Sequence, residues 1–257
     1  MSDPRDQPSY RLRRPGGEVD PSRIFNTPGV VLAIVLLTVA VFVLMIILPD
    51  RTASIIEFAA AVLPLRLMAG PAANGGFLAM ASPLIAHMFF HAGIAHLLMN
   101  MAFLLAFGTP VARRMGADNA LKSSAAFASA SLFLTLYLLS GIVGALTYVG
   151  LHVNDYALLI GASGGVSGLL GALVRFAFNR STLFGPEAAK LSPLLSSGVL
   201  TWTGVFVGTN IVFGAFGGAL TGALSGEGNI AWEAHLGGYF FGLLAFPFFD
   251  RAARAFR

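Results

Sequence analysis

Of the 257 residues, 56% are hydrophobic and only 11% charged, and the mean hydropathy is +0.77. Soluble domains carry roughly 25% charged residues, so a soluble globular fold is excluded. Sixteen basic against twelve acidic residues leave a charge of +4, too thinly spread for a nucleic-acid surface; the absence of cysteine removes disulfides, a thiol nucleophile and thiolate-held zinc or iron–sulfur sites.

The chain opens on a polar tail, residues 1–27, bearing arginine and proline. The first long apolar run, Val30 to Leu48, has no charge and no small-residue cleavage site after a short core. It therefore reads as a membrane span rather than a removable leader. Residues 50–90 are interrupted by Pro64, Gly70-Pro71 and Gly75-Gly76. Such a segment cannot span, and is expected as short amphipathic pieces in the outer interface. Further spans are expected at about 92–112, 125–149, 157–177, 193–217 and 232–249. The expected architecture is an all-α polytopic membrane protein, a six-transmembrane-helix bundle over residues 28–249, followed by a basic tail at 250–257.

Six crossings put both termini on one side. That side would hold Arg5, Arg11, Arg13, Arg14 and Arg23, then Arg113, Arg114 and Lys122, then Arg175, Arg180 and Lys190, and finally Arg251, Arg254 and Arg257. Only Arg51 and Arg66 fall opposite. The segregation of basic residues points to cytoplasmic termini.

Polar groups inside spans are functional candidates because the bilayer penalises them. Three clusters arise. The first is His87-Met-Phe-Phe-His91-Ala-Gly-Ile-Ala-His96-Leu-Leu-Met-Asn100, where His96 and Asn100, four apart, share one helix face. They read either as a satisfied interhelical polar pair or as donors aimed at a developing negative charge. The second runs Gly161-Ala-Ser163-Gly164-Gly165-Val-Ser167-Gly168-Leu-Leu-Gly171. Small residues recurring every fourth position let backbones approach closely, and Ser163 can equally be a nucleophile with room around it for a peptide bond. The third is Trp232-Glu233-Ala234-His235-Leu-Gly237-Gly238-Tyr239-Phe-Phe-Gly242, in which Ala234, Gly238 and Gly242 form another small-residue stripe beside His235. In six-span order the second, fourth and sixth spans run in the same direction, bringing His96, Asn100, Ser163 and His235 to one depth.

Other hydrolytic designs fit poorly. Asp50, Asp118, Asp155 and Asp250 fall at span ends or in loops, so no mid-span carboxylate dyad is available. His87 and His91 have metal-ligand spacing but lack the glutamate of a zinc hydrolase, and no third ligand is obvious. Serine with histidine remains, as a dyad in which His235 takes the Ser163 proton.

Taken together, His87-x(3)-His91-x(4)-His96-x(3)-Asn100, Gly161-x-Ser163-Gly164 and Ala234-His235-x-x-Gly238-x-x-x-Gly242 resemble the rhomboid family of intramembrane serine proteases. The resemblance covers roughly residues 28–249. It implies Ser163 as nucleophile, His235 as general base, and an oxyanion hole made by His96, Asn100 and the Ser163 backbone N–H. It further implies that no cofactor or metal is needed, that substrates are single-span membrane proteins cut near their outer juxtamembrane end, and that His87, His91 and the glycines 161, 164, 238 and 242 have structural roles. Two departures stand out. Many members carry a tyrosine beneath the histidine ring where this chain has Ser167, and a Trp-Arg pair where it reads Ala81-Ser82-Pro83. The fifth span, with Trp202 and Phe206, is the family's analogue of a gate.

An inactive rhomboid-like protein that binds transmembrane helices is the alternative, opposed by the presence of both Ser163 and His235. A histidine-lined transporter would instead need paired charges in mid-span, and none occurs before Arg175.

Overall fold

The computed structural model describes residues 27–118, 120–153, 155–178, 190–225 and 231–256, with the backbone alone between 215 and 225. The polar segment 1–26, Arg180 and Arg257 lie outside the described residues.

α1 (Gly29–Ile47) is apolar all round and buries only Val31, Ile34 and Thr38. A helix this apolar with so little protein contact is suited to lipid. Pro49 opens α2 (Asp50–Ala60), and four short helices follow: α3 (Pro64–Met68), α4 (Gly70–Ala73), α5 (Phe77–Ala81) and α6 (Pro83–Ala86). Proline and glycine break the segment at the expected places. Arg66 holds part of it together, donating to the carbonyls of Phe58, Ala59 and Ala61 at the end of α2.

α7 (Ile94–Phe103) passes through a π turn at Leu104–Gly108 into α8 (Thr109–Met115). Pro110 explains the irregularity, since it has no N–H to donate and its ring crowds the carbonyl four residues earlier. The longer elements are α9 (Ser124–Leu151), α10 (Ser163–Ala177), α11 (Ser197–Ser225) and α12 (Trp232–Arg254). Among the described residues four stretches are long and apolar enough to cross a membrane: Gly29–Ile47, Ile94–Met115, Ser124–Leu151 and Ser197–Gly214. The fold is all-helical; among the described residues the only paired extended backbone is a bridge between Val62 and Leu159.

That bridge corrects one expected boundary. Residues 157–162 do not begin a helix, because Leu159 exchanges backbone hydrogen bonds with Val62 at 2.9 and 3.0 Å and Gly161 follows with φ +122°. Helix α10 therefore starts at Ser163. At the other end α12 continues past residue 249 to Arg254. Buried Asp250 pairs with Arg114 of α8 at 3.0 Å and with Arg254 one turn on at 2.9 Å, and this pairing fixes the helix end. The Arg114 guanidinium also lies over the Phe176 ring of α10, 4.6 Å from its centroid.

Helices α9, α10 and α12 form the centre, and small residues are the reason. A Cβ on Gly238 would strike the carbonyl oxygen of Gly164, and one on Gly242 that of Gly168. The paired numbers both advance by four, so α10 and α12 run parallel with their backbones touching. In the antiparallel α9, Gly144 faces Ala234 and Gly141 faces Gly164. Such contact maximises dispersion where lipid supplies no hydrophobic drive between helices. The two small-residue stripes seen in the sequence are therefore mated to each other. Larger side chains, including Phe133, Leu136, Tyr137, Leu169 and Phe246, fill the remaining core.

Candidate active site

Ser163 is the first residue of α10, partly exposed, with Ala162 as its N-cap. The first backbone N–H groups of a helix have no partner within it and carry the positive end of its dipole. The loop leading to Ser163 is held by the histidine segment. The Gly161 N–H donates to the His87 carbonyl at 2.9 Å, and the Ala162 N–H points at His91 Nε2 at 3.4 Å. The His87 ring is buried and its Nδ1–H donates to the Pro83 carbonyl at 2.8 Å. The ring of His91 packs edge-on to that of His96, with centroids 4.9 Å apart. Among the described residues His91 Nδ1 is buried with no hydrogen-bond partner. Both histidines thus act on backbone and packing around the serine.

His96 faces the site. A Cβ built on Gly161 would stand 2.8 Å from His96 Nε2 and 3.9 Å from Ser163 Oγ, so these two atoms border one small space. Only glycine fits there, both for that clearance and for the positive φ. Asn100 is buried one turn below His96. It donates one of its two side-chain N–H groups to the His96 carbonyl at 3.0 Å and keeps the other free of its own helix.

His235 lies one turn before Gly238 on α12, next to Ala234, whose carbonyl oxygen is 3.6 Å from a Cβ built on Gly164. Among the described residues no hydrogen bond joins Ser163 to His235. The His235 Nδ1 is bonded instead to Asn210 Oδ1 of α11, at 2.8 Å. Ser163, His96 and His235 are brought into one neighbourhood; Asn100 borders it from below, and His87 and His91 buttress it from behind.

Two features were not singled out in the sequence. One is Asn210, a buried polar group in an apolar helix and so marked by the same rule that marked His96. The other is His152, just past the end of α9. It donates to Glu233 of α12 (Nε2 to Oε1, 3.0 Å) and pairs with Asp155 (2.7 Å), while its ring stacks on Tyr148. Glu233, two residues before His235, is thereby tied to the mouth of the bundle.

The hydrogen bond to Glu233, with Asp155 assisting, holds the His152 imidazolium above the ordinary histidine value of 6.5. The linkage has a definite sign. A raised folded-state value contributes stability that is fully present below about pH 6.5 and lost as pH rises through the raised value. Thermal unfolding in detergent should therefore show the advantage of wild type over His152→Ala shrinking as pH rises above that value. An advantage independent of pH would contradict the ion-pair account.

A family model described as Rhomboid domain matches residues 79–251, about two thirds of the chain. A Bacillus subtilis (strain 168) protein named "Putative rhomboid protease YdcA" is 31% identical over 157 residues, covering 58% of this chain and 67% of that protein. The matched segment contains every helix that builds the site, and with four stretches suited to crossing a bilayer it leads to one conclusion: the chain is an integral membrane protein belonging to the rhomboid family.

Proposed function

We propose that the protein is an intramembrane serine endopeptidase working through a Ser163–His235 dyad. The observation that carries the reading is that α10, which opens on Ser163, and α12, which holds His235, mate backbone to backbone.

In the proposed reaction the Ser163 Oγ attacks the carbonyl carbon of a substrate peptide bond, and His235 Nε2 takes the hydroxyl proton. The carbonyl oxygen becomes an oxyanion. It is received by the His96 ring N–H, the free N–H of Asn100 and the backbone N–H of Ser163, which the N-terminus of α10 leaves unpaired. As the tetrahedral intermediate collapses, the C–N bond breaks and His235 protonates the leaving amine. Water then attacks the acyl-enzyme, giving up a proton to His235, and a second collapse restores the Ser163 hydroxyl. Apo geometry need not show the serine–histidine bond, since such bonds tighten in the substrate complex.

The substrates in this reading are single-span membrane proteins cut near their outer juxtamembrane ends. The enzyme would cross a bacterial inner membrane six times, with cytoplasmic termini and the site opening outward. No metal or cofactor takes part in any step. The test is cleavage of a tagged single-span substrate co-reconstituted in liposomes, by wild type and by Ser163→Ala. Cleavage by wild type alone is expected. Equal cleavage by both would remove Ser163 as nucleophile, and capture of the substrate without cleavage by wild type would favour a helix-binding, inactive relative.

A further inference from the structure

The proposed base needs its proton on one particular nitrogen. To accept from Ser163, Nε2 must be bare, which requires the hydrogen on Nδ1. In serine hydrolases a carboxylate usually enforces this. Among the described residues no carboxylate is bonded to this ring: the acid nearest in sequence, Glu233, is turned to His152, and the position beneath the ring where relatives carry tyrosine is Ser167.

The atom facing His235 Nδ1 is Asn210 Oδ1, at 2.8 Å. Its identity as oxygen follows from the other end of the same amide. Asn210 Nδ2 lies 2.9 Å from the carbonyl oxygen of Phe206, one turn back on α11, and a carbonyl can only accept. With the nitrogen fixed there, Oδ1 must point at the imidazole, and an oxygen that only accepts must be met by Nδ1–H. Asn210 is itself 7% exposed, so water is poorly placed to substitute. The contact belongs to a register along the α11–α12 seam. Thr203 Oγ1 bonds Tyr239 Oη at 2.8 Å, Phe206 stacks on the Tyr239 ring at 4.4 Å, and Asn210 meets His235 one turn further along both helices.

We propose that Asn210 is a positioning residue for the reaction. It fixes His235 as the Nδ1–H tautomer, orients its ring, and steadies the imidazolium formed when Ser163 gives up its proton. It stands where other serine hydrolases place an acid and takes over the steering that Ser167 cannot provide. Because Asn210 belongs to α11, the base is correctly set only while α11 is seated against α12. The inference rests on the Ser163–His235 reading for its effect on rate, but the tautomer itself is independent of that reading.

Two measurements on the full chain in lipid nanodiscs test it. The first is the ¹⁵N spectrum of the His235 ring in protein labelled at histidine, assigned by comparison with His235→Gln. Wild type should show a protonated Nδ1 and a bare Nε2, Asn210→Ala a mixture of tautomers, and Asn210→Asp the wild-type form. The second is substrate cleavage. Asn210→Ala should lower kcat by about 10- to 100-fold, part of what a positioned base supplies, with KM changed little, and Asn210→Asp, which keeps the acceptor, should recover most of the loss.

An unaltered tautomer and unaltered kcat in folded Asn210→Ala would overturn the proposal. So would equal losses in the Ala and Asp variants, which would mark Asn210 as packing alone. Cleavage surviving in Ser163→Ala, with the tautomer still governed by Asn210, would instead locate the failure in the dyad.

Discussion

His235→Ala is expected to cut substrate cleavage on the order of 10⁴-fold or more, as deeply as Ser163→Ala, and the double variant should be no worse than either single one. Non-additivity is the informative part. A nucleophile and its base act on one proton, so removing either removes the same step. In the proposed mechanism what survives comes from substrate positioning and the oxyanion donors assigned to His96 and Asn100, and is common to all three variants. Two multiplying losses would mean that Ser163 and His235 serve separate purposes. Neither side chain fills the core, since both are partly exposed, so the variants should remain folded; Ser163→Ala should keep the wild-type unfolding temperature, and His235→Ala should unfold somewhat lower because it leaves the buried Asn210 Oδ1 without its donor.

The second large effect is structural. Gly242→Ala should destabilise the bundle by about 1–3 kcal/mol, the range for overpacking a well-packed interior, and Gly242→Leu by more. A Cβ at this position meets the carbonyl oxygen of Gly168, with the Gly168 carbon at 2.5 Å, and neither is a flexible side-chain tip that can yield. The helices must separate, and because Gly238 and Gly164 sit one turn above, the separation reaches the level of the site. Gly150→Ala is the control: it lies in α9 with nothing within 4 Å of a new Cβ. Thermal unfolding in detergent should distinguish the two, and equal behaviour would contradict the close-packed seam between α10 and α12.

Much of this architecture is legible in the sequence because the bilayer leaves few options. Apolar runs can only be helices there, and glycine every fourth residue can only mean contact between backbones. Hence α1, α9 and the pairing of α10 with α12 follow from composition and spacing, and Pro64, Gly70 and Gly75 mark where residues 50–90 break into pieces. What escapes is decided by partners distant in the chain. Nothing near Leu159 announces that it pairs with Val62, so the start of α10 cannot be placed from hydropathy. The extension of α12 to Arg254 depends on Arg114, more than a hundred residues earlier. Pro110 lies inside an apolar run that looks continuous, and the π turn that absorbs it leaves no sequence mark.

The site divides in the same way. Ser163, His96 and His235 stand out because each is a polar group in an apolar helix with glycines beside it. Asn210 satisfies both, with Gly208 two residues before it, but its role exists only through a ring 25 residues away on another helix. His152 escapes because it lies just beyond α9, in a loop where a histidine needs no explanation.

The most direct measurement is covalent. A serine-directed fluorophosphonate, which exchanges its P–F bond for a P–O bond only at an activated hydroxyl, should modify the reconstituted protein once. Mass spectrometry should place the adduct on Ser163, with labelling lost in His235→Ala. An unlabelled wild type, or an adduct formed equally well without the imidazole, would contradict a serine activated by His235.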